Sequence, residues 1–370
     1  MKLFLKKIFQ VWWLQVTYML VSAGFISILY VYFVKDHLNF GYIIFAEALG
    51  TIASVLFILL KRQFSLRSDI QFGFILVLFG LLSLLIPVAP IFILIPYTIL
   101  KVTGAIMFFI PYNILFFAKT DGDKKLYRMT TYWAIGLVIG IFAPILGGFL
   151  LSYFSLRIFV AVAIGLLFVG IFLGLFIKKK VYVYDIPTLF RHLKGFRTIT
   201  LIDGALPTAS QLLITLYLLT FIQNEFNFGA LLSVIALLSV SFTFPLAKFS
   251  DRYKKRLELI WPLSYLAGAV MVLFYFTTTL GWAIACIILF KFVTTLLWPI
   301  QSNIICDRKH VTPMLWISRD LFLNIGRSLV LLSLVPFAYF GFLKEAFLVV
   351  GILFFALPVV VAGKKIYKRD

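Results

Sequence analysis

The chain has 370 residues, of which 63% are hydrophobic and 13% are charged, and its mean hydropathy is +1.07. Soluble domains contain roughly half apolar and a quarter charged residues, so this composition excludes an ordinary soluble fold. It is also far too hydrophobic for a disordered chain. Lipid must therefore surround most of the protein, and the net charge of +20 has to be explained in that setting.

Twelve stretches of the sequence are long and apolar enough to cross a bilayer, which takes about 20 residues each. They are predicted at 11–34, 41–60, 70–88, 92–117, 132–154, 156–177, 198–222, 228–249, 259–279, 281–305, 315–340 and 346–362. The first apolar run is longer than the roughly 7–15 residues of a secretory signal peptide. We therefore count it as a membrane span.

The basic residues indicate how these spans are oriented. With the N-terminus inside, 27 of the 34 Lys and Arg residues fall on the inner side and only Lys35, Arg157 and Lys344 on the outer side. This is the positive-inside pattern. It predicts a multi-pass protein of the plasma (inner) membrane with both termini in the cytoplasm. It also argues against a nucleic-acid partner, because the positive charge is spread over many loops and forms no recognition motif.

An internal repeat divides the chain. Asn39-Phe40-Gly41 recurs as Asn227-Phe228-Gly229, 188 residues later. Four further residues recur 190 positions later, namely Lys101 as Lys291, Asn113 as Asn303, Lys119 as Lys309 and Gly136 as Gly326. Each half contains six spans, so both halves have the same orientation, as in transporters with parallel repeats.

We therefore predict an all-α integral membrane protein made of two parallel six-helix bundles. The predicted domains are an N-terminal bundle (1–177), a cytoplasmic linker (178–197) and a C-terminal bundle (198–370). Within the linker, Asp185 can cap a short helix that has Pro187 in its first turn. A flexible basic linker is the alternative.

Two motifs connect the sequence to a family. The segment 247–256 reads AKFSDRYKKR and resembles the major facilitator signature G-x-x-x-D-R-x-G-R/K-R/K, with Ala247 and Lys254 in place of its glycines. Pro144-Ile145-Leu146-Gly147-Gly148 is similar to the end of a second motif of that family. The corresponding loop of the first half has Lys61 in place of the Asp, so its gate is expected to be absent or built differently.

The resemblance implies the facilitator fold, in which helices one, four, seven and ten line a central cavity and helices two, five, eight and eleven form the gating interface. It implies an inner gate near the motif. The residues predicted for this gate are Asp251, Arg252, Arg256, Arg319 and Asp320.

Ionisable residues inside spans cost about 2.5–3.5 kcal/mol each at the helix centre and are candidates for function by default. Lys101, Lys291 and Arg327 lie near the middle of spans four, ten and eleven, and we predict that they attract an anionic solute. The other predicted solute-binding residues are Asn113, Asn303 and Gln211. Structural ion pairs, for example of Lys291 or Arg327 with Asp320, are the alternative.

Glu47 and Asp203 are the acids predicted to carry a coupling proton, because a buried carboxyl group can take up a proton near neutral pH. The three His residues fall in separate loops, so no metal site is predicted. The sequence contains no ATP-binding or catalytic motif, so we expect neither an enzyme nor a cofactor.

These features predict a secondary active transporter that works by alternating access, is coupled to protons and carries a small organic anion. Its expected partners are the solute, protons and the lipid bilayer, and we expect a monomer. Two alternatives remain at this point: a proton-linked exporter of hydrophobic or cationic compounds, and a lipid-handling or assembly protein that keeps the fold without transport.

Overall fold

The structure, a computed structural model, describes residues 2–118, 125–252, 256–308 and 312–363. Twelve helical spans in it are long and apolar enough to cross a membrane, and each coincides with a predicted span, so that prediction is confirmed. The elements of the first half are α1 (Lys2–Met19), a π-helical segment (Leu20–Phe25), α2 (Ile26–Lys35), α3 (Phe40–Lys61), β1 (Gln63–Ser65), α4 (Leu66–Ser83), α5 (Pro90–Phe117), α6 (Lys125–Tyr153) and α7 (Leu156–Gly174).

The linker contains β2 (Val181–Val183) and α8 (Ile186–His192). The elements of the second half are α9 (Arg197–Leu219), α10 (Glu225–Arg252), α11 (Arg256–Phe276), α12 (Leu280–Arg308), α13 (Pro313–Tyr339) and α14 (Leu343–Gly363). The first span comprises α1, the π-helical segment and α2. We call the end of the molecule that carries the linker the linker end, and the end where α2 turns into α3 the hairpin end.

Side chains at the helix ends satisfy backbone groups that have no partner within the helix. The Asn39 carboxamide oxygen accepts a hydrogen bond from the Gly41 N–H (2.7 Å) at the start of α3. The Thr312 hydroxyl oxygen accepts a hydrogen bond from the Leu315 N–H (3.2 Å) at the start of α13. Such caps let a span begin directly after a short connection, at the hairpin end for α3 and at the linker end for α13.

The helices pack as two bundles. In the first, α5 packs on α3 and α4, and in the second α13 packs on α9 and α11 on α14. The bundles meet where α6 runs along α10 and where α3 runs along α13. These are spans five, eight, two and eleven, which are the interface helices that the family resemblance implies.

The repeated tripeptide places a glycine at each of the two crossings between the bundles. A Cβ atom on Gly41 of α3 would lie 2.7 Å from the Cα of Tyr339 on α13. A Cβ on Gly229 of α10 would lie 2.3 Å from the carbonyl oxygen of Pro144 on α6. Small residues let membrane helices approach this closely, so the repeat encodes the same contact twice.

The linker is ordered, and its predicted short helix is present as α8. The Asp185 carboxylate accepts a hydrogen bond from the Thr188 N–H (3.0 Å) at the start of α8, and hydrogen bonds from Thr188 hold the pKa of Asp185 below its usual value. Leu189 is fully buried, and the ring of Phe190 packs edge-on against Phe322 of α13. The alternative of a flexible linker is therefore wrong.

The other part of the linker binds the first bundle. Strand β2 pairs antiparallel with β1, with Phe64 opposite Tyr182. The Tyr184 hydroxyl donates a hydrogen bond to the carbonyl of Ile58 (2.7 Å) at the end of α3. The linker thus contacts both bundles at the linker end. The predicted domain boundaries at 177 and 198 remain predictions.

A substitution in the second bundle tests the role of close helix contact. A Cβ on Gly204 would lie 2.1 Å from the carbonyl oxygen of Leu323, whereas a Cβ on Gly165 would meet no atom within 4 Å. We expect Gly204→Val to lower the melting temperature of the purified protein, since overpacking costs about 1–3 kcal/mol. The matched control Gly165→Val should leave it unchanged, and equal melting of the two variants would contradict this packing.

Candidate functional site

A layer of polar side chains joins helices of both bundles toward the linker end. On the second bundle, the guanidinium of Arg319 (α13) pairs with the carboxylate of Asp203 (α9) at 2.8 Å. The other carboxylate oxygen of Asp203 accepts a hydrogen bond from the Ser302 hydroxyl of α12 (3.4 Å). Asp203 and Arg319 each lie six residues from the start of their helix, about 9 Å along the axis.

Arg319 and Asp320 are the two residues of α13 predicted for the inner gate, and that role stays a prediction. The structure places an ion pair between Arg319 and Asp203. Consecutive residues of an α-helix point about 100° apart, because a turn takes 3.6 residues. Arg319 therefore faces α9, while the Asp320 carboxyl faces the Asn113 side chain of α5 in the other bundle.

Asn113 and Asp320 thus bring the predicted solute site and the predicted gate together. Both side chains are buried, and the Asn113 carboxamide oxygen and one Asp320 carboxylate oxygen have no hydrogen-bond partner. One helical turn closer to the linker end, Phe117 of α5 stacks on Trp316 of α13, with 4.6 Å between ring centroids. The two bundles are therefore in contact beside this polar pair.

Two predicted solute-binding cations, Arg327 and Lys291, lie closer to the middle of their spans than this layer does, and no ion pair with a carboxylate is shown for either among the described residues. Arg327 donates one hydrogen bond, from Nη1 to the carboxamide oxygen of Asn324 (3.2 Å), and its buried Nε has none. The Lys291 ammonium lies over the ring of Trp298, 5.6 Å from its centroid. The alternative of a structural ion pair with Asp320 stays a prediction: the charges of Arg327 and Asp320 interact, whereas no such interaction with Asp320 is shown for Lys291.

The third predicted cation has a different environment, closer to the hairpin end. Lys101 of α5 forms an ion pair with Glu47 of α3. The Tyr30 hydroxyl of α2 donates a hydrogen bond to the same Glu47 oxygen (2.6 Å) and accepts one from Lys101 (3.3 Å). The structure thus joins a predicted solute residue and a predicted proton carrier in one triad within the first bundle.

The remaining predicted site residues lie apart or outside the description. Gln211 is exposed on α9. The side chains of Asn303, Asp251, Arg252 and Arg256 lie outside the described part of the structure. The roles assigned to these residues stay predictions.

The loop of the first half that lacks the signature Asp has its own ion pair. Lys61, at the end of α3, pairs with Asp69 in the first turn of α4. The second carboxylate oxygen of Asp69 accepts a hydrogen bond from the Ser65 N–H (2.7 Å). The acid of this pair lies eight residues toward the C-terminus from the lysine, and the expectation that the gate of this half is absent or built differently stays a prediction.

Sequence reasoning missed a contact that closes the hairpin end between the bundles. Lys35, at the end of α2, pairs with Glu225, at the start of α10, at 2.5 Å. Ser152 of α6 accepts a hydrogen bond from the Phe226 N–H (2.9 Å), next to this pair. The two charged residues are 190 positions apart, which equals the repeat period. Opposite charges at repeat-related positions were a signal that could have identified the pair.

A cleft of about 930 Å³ lies at the hairpin end of the first bundle, among the ends of α2 and α4 and the starts of α5 and α7. Its charged lining residues are Lys35, Asp36, His37 and Arg157. None of the residues predicted for the functional site lines it.

Known structures share this architecture, although no family model and no curated protein sequence matches the chain. The crystal structure of the human organic anion transporter MFSD10 (TETRAN) aligns with a TM-score of 0.68 at 9% identity, over 96% of this chain and 99% of that one. A POT family transporter in complex with 5-aminolevulinic acid aligns with a TM-score of 0.70 at 13% identity, over 97% and 96% of the two chains.

The fucose:proton symporter FucP of E. coli aligns with a TM-score of 0.63 at 13% identity, over 96% of this chain and 98% of that one. The chain has the major facilitator fold. It is a multi-pass membrane protein with the 6+6 arrangement, as predicted. The similar structures described here are transporters, in agreement with the expectation that the chain is not an enzyme.

The Lys101–Glu47 pair can be tested with a double-mutant cycle. Both side chains are close to nine-tenths buried, and removing one member of a buried pair leaves an uncompensated charge that costs about 3–5 kcal/mol. We expect Glu47→Gln and Lys101→Met each to lower the melting temperature, and the double variant to recover most of the loss. Strictly additive losses would show that the two charges do not interact.

The hairpin-end closure can be tested by the rate of thiol labelling. In a chain with Cys286→Ala and Cys306→Ala, a thiol placed by Ser233→Cys lies between α6 and α10, where the Ser233 hydroxyl accepts a hydrogen bond from the Ile145 N–H (3.2 Å). We expect Glu225→Gln to raise its labelling by a maleimide about fivefold, since a partly exposed ion pair contributes up to about 1 kcal/mol.

The matched acid-to-amide control for this measurement is Glu345→Gln. Glu345 lies in the first turn of α14, at the same end of the molecule but away from the α6–α10 crossing. The Glu345→Gln substitution should leave the labelling rate of the thiol unchanged. A rate that stays the same in Glu225→Gln would exclude the Lys35–Glu225 pair as a closing contact.

Proposed function

We propose that the protein is a secondary transporter that carries a small organic anion across the membrane by alternating access. One observation carries the proposal: Lys291 and Arg327 lie near the middle of their spans, and no ion pair with a carboxylate is shown for either of them among the described residues. A surplus positive charge at membrane depth is costly. An anionic solute bound there would neutralise it.

The internal repeat supports Lys291 as the residue that binds this solute. Its counterpart, Lys101, is neutralised by Glu47. The positions of α10 that correspond to Glu47 by the repeat period hold Ile235, Ala236 and Leu237, which supply no acid. The first half therefore neutralises its own lysine, whereas the lysine of the second half depends on a bound group.

Arg327 supports the same assignment. It lies fourteen residues from the start of α13 and twelve from its end, so it is near the middle of the span. A guanidinium can bind a carboxylate with two parallel hydrogen bonds. Its unpartnered Nε–H is one of the donors that such a contact would use.

The described neighbours agree with a solute of this class. One of them is named an organic anion transporter, and another was solved with 5-aminolevulinic acid, a compound that carries a carboxylate. A third is named a proton symporter. By this analogy the gradient that drives transport is one of protons, with Glu47 in its Lys101–Tyr30 triad and Asp203 beside Arg319 as the proton carriers.

The contacts between the bundles suit alternating access. At the hairpin end they consist of glycine-mediated backbone contacts and the Lys35–Glu225 pair, which can separate without unfolding either bundle. We place the protein in the plasma membrane as a monomer, with the linker end in the cytoplasm. The 27 basic residues predicted on that side support this orientation.

Uptake into proteoliposomes tests the proposal. A panel of radiolabelled carboxylates is offered in the presence of a pH gradient. We expect Lys291→Gln and Arg327→Gln each to reduce uptake of the transported anion by about 10- to 100-fold, since a charge-assisted hydrogen bond contributes about 1.5–3 kcal/mol. Lys344→Gln, a control lysine in the first turn of α14, should transport normally.

Other outcomes separate this proposal from its rivals. If both cation variants accumulate every anion at the original rate, the anion site is wrong. If a cationic dye is expelled in a manner that depends on Glu47 or Asp203 but not on Lys291, the protein is an exporter of cations. The coupling proton is assigned to Glu47 if two results are found together in Glu47→Gln. The pH gradient no longer stimulates anion uptake, and the variant still exchanges labelled for unlabelled anion.

A further inference from the structure

Two tryptophans from different bundles face each other at the polar layer. Trp133 lies on α6 and Trp298 on α12, with 6.2 Å between ring centroids and 36° between ring planes. The indole N–H groups of both are buried and have no hydrogen-bond partner among the described residues. Buried tryptophans usually find such a partner, so two unpartnered indoles in contact across an interface call for an explanation beyond packing.

The surroundings of Trp298 provide polar groups that are likewise unused. The Lys291 ammonium lies 5.6 Å from the centroid of the Trp298 ring. Gln301 is only 1% exposed, and neither its amide nitrogen nor its oxygen has a hydrogen-bond partner. Trp298 and Gln301 are three residues apart on α12, so their side chains are neighbours on one face of the helix.

We propose that Trp133 and Trp298 form an aromatic clamp for the solute, and that the transported anion therefore has a planar, aromatic body. This inference rests on the proposed function and deepens it. The acidic group binds Lys291, the ring lies between the two indoles, and the indole N–H groups and Gln301 bind polar atoms at the edge of the ring.

The spacing suits a planar guest. Carbon atoms in van der Waals contact lie about 3.5–4.0 Å apart, so two rings that enclose a third stand about 7–8 Å apart. The present centroid distance of 6.2 Å is shorter than this, and the ring planes are tilted by 36°, so the bundles must separate and the two indoles must turn toward parallel to admit one ring. A saturated ring is thicker and has no π face, so it fits and binds less well.

The placement of the two rings also connects solute shape with movement. Trp133 belongs to the first bundle and Trp298 to the second, so the clamp closes on a guest only when α6 and α12 approach each other. A planar aromatic anion contacts both bundles at once in that state. An aliphatic acid of the same charge contacts Lys291 but has no aromatic ring that can stack between the two indoles.

Binding of two matched acids to the full-length protein in nanodiscs tests the clamp. The probes are benzoate and cyclohexanecarboxylate, which have equal charge and similar size but differ in planarity, followed by quenching of tryptophan fluorescence and by thermal shift. We expect benzoate to bind at least 10-fold more tightly. Trp298→Leu should abolish this preference, whereas Trp298→Phe and Trp133→Phe, which keep a ring, should retain most of it.

Trp282→Leu is the matched control, since Trp282 lies near the start of the same helix and is 67% exposed. It should bind both acids normally. Lys291→Gln should weaken both acids equally, because the charge is common to them. Equal binding of the two acids with retained Lys291 dependence overturns the clamp and leaves the anion site standing, whereas transport that does not depend on Lys291 overturns the proposed function as well.

Discussion

The hydrocarbon interior of a membrane offers a charged side chain no water, and the arrangement of the polar residues follows from this constraint. Lys101 is neutralised by Glu47 within the first bundle, and Arg319 by Asp203 within the second. These pairs tie α3 to α5 and α13 to α9, which are among the main contacts inside each bundle. Lys291 and Arg327, which lack a carboxylate partner among the described residues, are the charges left for another purpose.

Between the bundles the interactions are of a different kind. Gly41 and Gly229 bring backbones together at the two crossings. Aromatic side chains also meet across the interface, Tyr42 with Tyr339 and Phe117 with Trp316, and the Lys35–Glu225 ion pair adds to the contact at the hairpin end. In the proposed alternating access these contacts separate, while the buried polar pairs hold each bundle together.

The two halves share an ancestral pattern, yet their chemistry has diverged. The glycine of the repeated tripeptide serves the same contact in both halves. The repeated lysine does not have the same contact in both halves, because Glu47 of the first half corresponds to apolar residues in the second half. At the linker end the first half uses the Lys61–Asp69 pair where the second carries the signature Asp251. Symmetry therefore supports the architecture, and departures from symmetry mark where a solute can bind.

The sequence by itself determined the fold class, the twelve spans and the repeat, because a bilayer of fixed thickness demands long apolar helices whatever their packing. The sequence also identified Lys101, Lys291 and Arg327 as charges near the middle of their spans, by counting residues along each span. Only the tertiary structure decided which charges meet. Arg319 pairs with Asp203, 116 residues away. Glu47 meets Lys101, Lys35 meets Glu225, and Trp133 meets Trp298. The physical reason is that the depth of a residue along its helix follows from counting residues. Which partner its side chain meets depends on which other helix packs against that face, and this is decided only by the tertiary structure.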